Sequence, residues 1–565
     1  MQNKDLRSGL EDILEEMGVV DIEVKLDRPK DSHHGDMATN VALLLGAKLG
    51  KAPRAIAEEI VSKLDISDLG IEAVEVAGPG FLNFRISPDR LSSNLRNIVV
   101  EGEKYGKSVE ENRGSIMVEF VSANPTGLLH LGHGRQAALG DAIASLLEWT
   151  GWSVNREYYY NDAGVQIERL AESVWVRCQQ EMGQEVEIPE GGYSGEYISE
   201  IARSFITEYG TEVGSEPSVK ILEKMKELAV SQIRETQDSD LETFGVDFDN
   251  YFLESSLYGD GQIDTTVEAL KRTGKVYEFE GAVWLKTTDY GDQKDRVMLK
   301  ANGSPTYFLP DVAYHMDKWN RGFKSAINVQ GSDHHGTIDR VRAGVQALGL
   351  PPGYPEYVLH QMVKVERDGK EVKFSKRAGS DISLRELVSA VGVDVTRYFF
   401  LMRKAEGHLV FDLDLALDRS DKNPVFKVQY AHARMCSIFK KGEINLNQEF
   451  VQSADLTLLK HLDERELINQ LLDFPRVINN AAEKRSPHLV CDYLEQTAGL
   501  VNSWYHSGNP NRNPEMAVLV EHIPTRQARL IMAQAVRTIL RNGLQILGIS
   551  APEYMAREME NKDGE

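Results

Sequence analysis

This sequence predicts a mixed α/β protein: a doubly wound parallel sheet at the centre, a small α+β domain before it and an all-α domain after it. Three observations carry that prediction. The first is a strand, a glycine-bearing turn and a helix in succession between Ser115 and Leu147. The second is a later apolar strand, Ile327-Asn328-Val329, that runs straight into the polar cluster Gly331-Ser332-Asp333-His334-His335-Gly336. The third is the change to wholly helical periodicity past Asp412.

At 565 residues the chain has room for three or four domains of ~150 residues. Its composition, 41% hydrophobic and 27% charged, is that of a folded globular protein rather than a disordered chain. Apolar runs such as Val41-Ala42-Leu43-Leu44-Leu45 are far too short to span a bilayer, and Met1-Gln2-Asn3-Lys4-Asp5-Leu6 lacks an apolar signal core. The expectation is a cytoplasmic protein with no membrane partner. Cys178, Cys436 and Cys491 are widely spaced and form no Cys-x-x-Cys, which argues against both a disulfide framework and a zinc knuckle. The net charge of −23 speaks at first against a nucleic-acid partner. Residues 426–565, however, hold 16 basic against 17 acidic groups. The acid excess lies upstream, and a locally basic face there remains open.

Residues 1–110 form the first module. Leu6, Leu10, Ile13 and Leu14 make a helical stripe that stops near Gly18, and Gly78-Pro79-Gly80 marks a turn before a strand. Read blind, it is a small α+β folding unit. The central domain, 111–425, opens with Ile116-Met117-Val118-Glu119-Phe120-Val121. Such a run, rich in β-branched residues, reads as a strand buried on both faces of a parallel sheet. Ser122-Ala123-Asn124-Pro125-Thr126-Gly127 is turn-forming. Leu139, Ala142, Ile143, Leu146 and Leu147 then fall at the spacing of an amphipathic helix. A second strand, 153–160, closes on Asn161-Asp162-Ala163-Gly164, at the edge where open α/β sheets bind ligands. From about 166 to 290 the text turns Glu- and Lys-rich with helical period, a helical insertion without a catalytic constellation. The sheet resumes with 295–300 and with Tyr307-Phe308-Leu309-Pro310-Asp311, read as a strand end. Arg367-Asp368-Gly369 between two alternating runs signals a hairpin. Residues 426–565 form a helical bundle, with Met532, Ala535, Val536, Ile539 and Leu540 on one face and a stop at Gly548 and Pro552. Such a bundle could hold RNA or join subunits.

The chemistry concentrates where strand meets helix. His130-Leu131-Gly132-His133 stands at a helix N-terminus, where backbone N–H groups and the helix dipole attract a phosphate. A polyphosphate would favour the charged forms of both rings. His-x-x-His could also ligate zinc, but no third ligand is near in sequence. Gly-Ser-Asp-His-His-Gly at a strand end suits a ribose or adenine. Adjacent histidines on an extended segment point oppositely, which disfavours a metal there. Lys373-Phe374-Ser375-Lys376-Arg377 is a basic turn bracketed by Gly369 and Gly379, able to close over a nucleotide. Glu119 interrupts a buried strand, where a lone carboxylate is costly.

His130-Leu131-Gly132-His133 resembles the HIGH signature of class I aminoacyl-tRNA synthetases. Extended by Glu119-Phe120-Val121-Ser122-Ala123-Asn124-Pro125-Thr126-Gly127, it resembles the arginyl-tRNA synthetase family in particular. Lys373-Phe374-Ser375-Lys376-Arg377 is similar to the KMSKS-type loop, with phenylalanine in place of methionine. Gly35-Asp36-Met37-Ala38-Thr39-Asn40, Ala77-Gly78-Pro79-Gly80-Phe81 and Val428-Gln429-Tyr430-Ala431-His432-Ala433-Arg434 resemble that family's N-terminal and anticodon-binding domains. The resemblance implies a Rossmann-like catalytic domain and a two-step ligase. Arginine's carboxylate attacks the α-phosphorus of ATP, carried with Mg²⁺ as its substrate metal and with no zinc; arginine then passes to the 2′-hydroxyl of the terminal adenosine of tRNA(Arg). It implies catalytic roles for His130, His133 and Lys376. ATP contacts would come from these with Gly132, Asp333, His334, Lys373 and Ser375. Arginine contacts would come from Glu119, Asn124, Tyr307 and Asp311, and a further one from Gln330 or Asp333. Tyr430 and Arg434 would touch tRNA, Arg434 at a phosphate, in a monomeric enzyme. The competing readings are a small nucleotidylyltransferase, another class I synthetase, and a catalytically impaired tRNA-binding paralogue; the last is disfavoured by intact His130, His133 and Lys376.

Overall fold

Apolar stripes at helical spacing build the first domain of the computed structural model, which describes residues 2–20, 22–29, 34–108, 113–162, 164–214, 216–372, 382–509 and 511–556. Leu6, Leu10, Ile13 and Leu14 are all buried on helix α1 (Gln2–Glu16). With α2 (Val41–Leu49), α3 (Pro53–Lys63) and α4 (Pro88–Glu101), that helix accompanies an antiparallel sheet. Its strands, β1 (Met37–Thr39), β2 (Ile71–Ala77) and β3 (Phe81–Ile86), run in the order β1-β3-β2. The Gly78-Pro79-Gly80 turn lies between β2 and β3, as its residues require.

The central sheet is all parallel. Its strands are β4 (Ser115–Glu119), β5 (Ser153–Tyr160), β6 (Asn250–Leu253), β10 (Ser325–Gly331) and β11 (Glu356–His360), in the order β11-β10-β4-β5-β6. The order reverses between β4 and β10, and a crevice at the carboxyl ends of these two strands is where such sheets take ligands. Successive residues of β4 face opposite layers. Ile116 and Val118 join the core that holds helix α5 (Leu131–Trp149), and Met117 joins the core of the other face. Gly140 lets α5 lie against β4: a side chain there would meet the Phe120 ring at 2.1 Å. The expected one-sided helix is in fact buried nearly all round, because the helical C-terminal part packs on its outer side.

Three helices, α6 (Val165–Glu181), α7 (Glu196–Tyr209) and α8 (Val219–Thr243), bury an apolar core of their own. The helical text ends there. Asn250–Leu253 returns to the central sheet as its edge strand, followed by α9 (Glu254–Gly259) and α10 (Gln262–Arg272). A small antiparallel sheet of β7 (Val276–Phe279), β8 (Ala282–Leu285) and β9 (Arg296–Leu299) comes next. The stretch read as resuming the central sheet, 295–300, therefore belongs to this separate sheet. Tyr307-Phe308-Leu309-Pro310-Asp311 is not a strand end either. Tyr307 precedes helix α11 (Phe308–Asn320), and Pro310 and Asp311 stand at its start, where proline removes no helical hydrogen bond.

After β10 come α12 (His335–Ala347) and β11, then the hairpin β12 (Val363–Arg367) and β13 (Lys370–Glu371). Asp368 and Gly369, at φ 50° and 68°, form its two-residue turn, the geometry that Asp-Gly favours. Helices α13 (Leu384–Val391) and α14 (Val393–Leu401), strand β14 (Leu409–Asp412), parallel to β12, and α15 (Leu413–Leu417) complete the domain. The bundle follows: α16 (Pro424–Lys441), α17 (Gln448–Ser453), α18 (Leu462–Leu472), α19 (Phe474–Glu483), α20 (His488–Ser507) and α21 (Ile523–Ile546). Among the described residues no helix is long and apolar enough to cross a membrane.

Arginines join the parts. The Arg465 guanidinium and the Asn469 amide both donate to Asp36, tying the first domain to the bundle. Arg397, fully buried, donates to the Asp141 carboxylate on α5, to the Leu547 carbonyl beyond α21 and to the Phe244 carbonyl beyond α8. Arg397→Ala leaves Asp141 with Arg156 alone, at 3.4 Å, strands the Leu547 and Phe244 carbonyls, and should cost ~3–5 kcal/mol. The check is a lowered midpoint in urea unfolding; a midpoint equal to wild type would remove Arg397 from this role.

Candidate active site

The crevice between β4 and β10 is walled first by the loop that leaves β4. Val121 and Ser122 sit at φ 67° and 44°, a left-handed conformation that a β-branched residue adopts only when its surroundings force it. The forcing contacts are visible. The Tyr158 hydroxyl lies 3.1 Å from both the N–H and the carbonyl of Ala123. The Gln237 amide donates to the Asn124 and Gly127 carbonyls at 3.0 and 2.8 Å. Tyr197 donates to the Thr126 carbonyl at 2.8 Å, and Asn124 Nδ2 to Gln166 Oε1 at 2.6 Å. The helical insertion, in which the sequence showed no constellation, thus holds the loop that leaves β4.

The loop ends at His130, which caps α5. Its Nδ1 accepts from the backbone N–H of Gly132 and His133 at 3.0 and 3.4 Å, while His133 Nδ1 accepts from the His130 N–H at 3.3 Å. The rings stack with centroids 3.7 Å apart. Gly132 is fixed by this packing, since a Cβ there would sit 2.8 Å from the His130 ring. With both Nδ1 atoms acting as acceptors, the hydrogen-bond pattern assigns the proton of each neutral ring to Nε2. Burial, reinforced by His130 and His360, pushes the His133 pKa down to about 3. Burial thus favours the neutral form of His133, whereas a polyphosphate bound beside it would favour the charged one.

The segment that resumes after the lysine-bearing stretch, from Ile382, adjoins this wall. Ser383 pairs with His130 as an isolated bridge, and the Leu384 N–H donates to the Leu129 carbonyl at 2.7 Å. Lys373, Ser375 and Lys376 themselves lie outside the described residues. Arg135, fully buried on α5, donates to the Gln361, Lys404 and Gly407 carbonyls and so fixes the strands that lead to that turn. Opposite stand Asp333, exposed, and His334, whose Nε2 is 3.5 Å from the Asp333 carboxylate. Among the described residues, Gln330 keeps a buried amide oxygen without a partner, as His360 does its Nε2.

The remaining wall belongs to α11. Asp311 is half-buried and forms no ion pair within 4 Å among the described residues. Burial pushes its pKa up to about 7; Arg340 opposes this, and Glu254 and Glu119 add to it. Tyr159, Tyr258 and Tyr357 all lie close enough to feel the Asp311 charge. Glu254, buried and likewise raised by burial, accepts from the Tyr159 hydroxyl at 2.9 Å. Two carboxylates short of cations, between aromatic walls, suit a planar guanidinium. Glu119, expected in that cage, is differently placed. It is buried and already paired to Lys318 Nζ, with Ser122 donating to its other oxygen at 3.2 Å. Tyr307 is 77% exposed at the rim. Sequence reading missed Glu254, the first residue of α9 after β6, and Lys318, two turns along the same face of α11 from Asp311.

In the bundle, Tyr430 stacks on Phe426 with centroids 5.7 Å apart. The Arg434 guanidinium lies 4.8 and 4.5 Å from the Tyr430 and Tyr505 rings and donates to Asn502 Oδ1 at 2.5 Å. Arg434 is 9% exposed, so its charge is enclosed by partners of its own chain rather than laid out for a phosphate.

Comparison with known proteins agrees along the chain. Residues 4–86 match the arginyl tRNA synthetase N terminal domain, 94–397 the class I (R) tRNA synthetase catalytic domain, and 428–555 the DALR anticodon binding domain. The chain is 47% identical to the arginine–tRNA ligase of Thiobacillus denitrificans, over 94% of this chain and 95% of that one. It is 46% identical to that of Ralstonia nicotianae, over the same shares. The arginyl-tRNA synthetase of Thermus thermophilus shares the fold at a TM-score of 0.79 and 24% identity, over 98% of this chain and all of that one.

The raised Asp311 carboxyl makes a signed prediction. Only its ionised form attracts a guanidinium, so affinity for arginine should climb as pH rises toward about 7 and then level off. Below that point it should fall roughly tenfold per pH unit. In the absence of a cation the folded protein holds this proton more tightly than the unfolded chain, so its ionisation costs stability over the same rise. Asp311→Asn should bind arginine weakly with a flat profile. A flat profile in wild type, by titration calorimetry across neutral pH, would contradict the assignment.

Proposed function

The chain belongs to the arginyl-tRNA synthetase family, and on that premise we propose how its residues carry out the reaction. The enzyme activates arginine with ATP to arginyl-adenylate and pyrophosphate, then transfers the arginyl group to the 3′-terminal adenosine of its tRNA. One observation carries the assignment of roles: the crevice has a donor side, the paired Nε2–H groups of His130 and His133, and an acceptor side, Asp311 with Glu254. ATP enters with magnesium as part of the substrate. Its phosphates meet the His130 and His133 donors and the backbone N–H at Gly132, while Lys373, Ser375 and Lys376 hold the β- and γ-phosphates. Asp333 and His334, beside the end of β10, serve the ribose and adenine. Arginine lies across the crevice, its guanidinium between Asp311 and Glu254 with Tyr307 over the rim. Its α-amino group goes to Asn124, whose Nδ2 is held by Gln166, so that Oδ1 is the atom left to accept from an ammonium.

Arginine's carboxylate oxygen attacks the α-phosphorus and pyrophosphate leaves; no covalent bond to the enzyme is required. The protein supplies alignment and fixed donors for charge that grows on phosphate oxygens. Glu119 acts through its pairing with Lys318, setting the floor beneath the substrate. In the bundle, Tyr430 stacks against unpaired anticodon bases, a mode that needs no phosphate contact, and Arg434 keeps its ring in place. All of these parts sit on one chain, which acts as a monomer.

Arginine-dependent ATP–pyrophosphate exchange, run with and without tRNA, is the test. His133→Ala should slow exchange by roughly 10²–10³, the effect of removing one fixed donor, with arginine affinity nearly unchanged. Exchange at the wild-type rate would take His133 out of the reaction.

A further inference from the structure

Helix α8 buries a residue at nearly every fourth position: Met225, Ala229, Ile233, Gln237 and Leu241. This is the apolar stripe of a helix packed along one face, and a single glutamine breaks it. Ile233 belongs to the insertion's own core and Leu241 to the main core, so Gln237 stands at the junction of the two. It is 1% exposed, a position where an amide is costly unless fully bonded.

Its bonds all go to one place. Nε2 donates to the Asn124 and Gly127 carbonyls, and Oε1 lies 3.4 Å from the Tyr158 hydroxyl, which itself holds Ala123. Each of the other two insertion helices sends one side chain to the same loop: Gln166 from α6 to the Asn124 amide, and Tyr197 from α7 to the Thr126 carbonyl. Just upstream, Val121 and Ser122 are held in the left-handed region. Such conformations persist only where surrounding contacts over-determine them, and Gln237 supplies two of those contacts from the buried side.

We infer that Gln237 is a positioning residue for arginine's amino end: it fixes the backbone at Asn124 itself and at Gly127, so that the Asn124 amide meets the α-ammonium in one orientation. The inference rests on the reading that Asn124 takes this group. Gln237 does not itself reach the substrate.

The experiment compares two ligands on the full-length enzyme: arginine, and 5-guanidinopentanoate, which keeps the guanidinium and carboxylate but lacks the α-amino group. Both dissociation constants are measured by calorimetry for wild type, Gln237→Met and Asn124→Ala. Gln237→Met keeps the side-chain volume and suits the apolar stripe, so folding is preserved; thermal unfolding checks this, and Gln237→Leu provides a second apolar replacement. Wild type should prefer arginine by roughly 10–100-fold, the worth of a hydrogen bond to a charged group. Gln237→Met should lose most of that preference through arginine alone, with the des-amino analogue bound as before. If Gln237→Met weakens both ligands equally, or weakens neither, the inference is overturned. Retention of the preference in Asn124→Ala would instead overturn the underlying reading of Asn124.

Discussion

Glu119 on β4 and Glu157 on β5 are register partners, side by side on one face of the central sheet. Both are buried, and two like charges placed so would repel each other in a medium that also denies them water. Helix α11 resolves this. Its Lys318 pairs with Glu119, and its Arg321 makes a two-pronged contact with Glu157 at 2.6 and 2.9 Å. Burial alone would raise the Glu157 pKa; Arg321, Lys318 and the Tyr314 hydroxyl reverse that and hold it below the usual range. Lys318 also donates to Asn328 on β10 at 3.0 Å, so a single helix is bolted across three strands. Its cations are consumed by the sheet. The acid two turns upstream, Asp311, receives neither of them; Arg340 offsets its charge without forming an ion pair within 4 Å among the described residues.

That division of charge organises the crevice. The end of α11 that faces the sheet is electrically complete, and the end that faces the crevice is short of a positive charge. On the proposed reading, an arginine side chain would supply what is missing, in a shape that the aromatic surroundings accept. On the far side, the capping arrangement of His130 and His133 consumes both Nδ1 atoms in holding the helix start. The insertion, with its own core, grips the loop between these two sides. The proposed site thus draws on three elements, the turn at His130, helix α11 and the insertion, which meet around β4, its neighbouring strands and the loop after it.

Much of this was legible in the sequence where the signal is local. The run Ile116–Val121, the turn at Asn124-Pro125, the stripe from Leu139 to Leu147 and the Asp368-Gly369 hairpin each follow from residue types within a few positions of one another. The family resemblance likewise rested on contiguous strings. What escaped was set by partners distant in the chain. Asp311 was placed at a strand end because Phe308-Leu309 is apolar and Pro310 follows; a first helical turn accepts the same text. Asn250–Leu253 is four residues long and borrows its identity from pairing with β5. Glu254, Lys318 and Gln237 carry no local mark, since their roles are defined across tens to hundreds of residues. Arg434 was read as a surface charge, and only the packing of α16 on α20 encloses it.

The central claim is that the ionic ties between α11 and the sheet place Asp311 for its substrate. It is tested most directly by the affinity for arginine, measured calorimetrically, in Arg321→Met combined with Glu157→Leu. The pair of changes removes a tie without leaving a charge stranded, so the fold should survive with little loss of stability. If the account holds, α11 gains freedom at its crevice end and arginine binding weakens by tenfold or more, on the order expected when a recognition group is misplaced, while ATP binding is retained. Arginine affinity equal to wild type in a folded double variant would show that Asp311 is positioned by something other than the sheet beneath it.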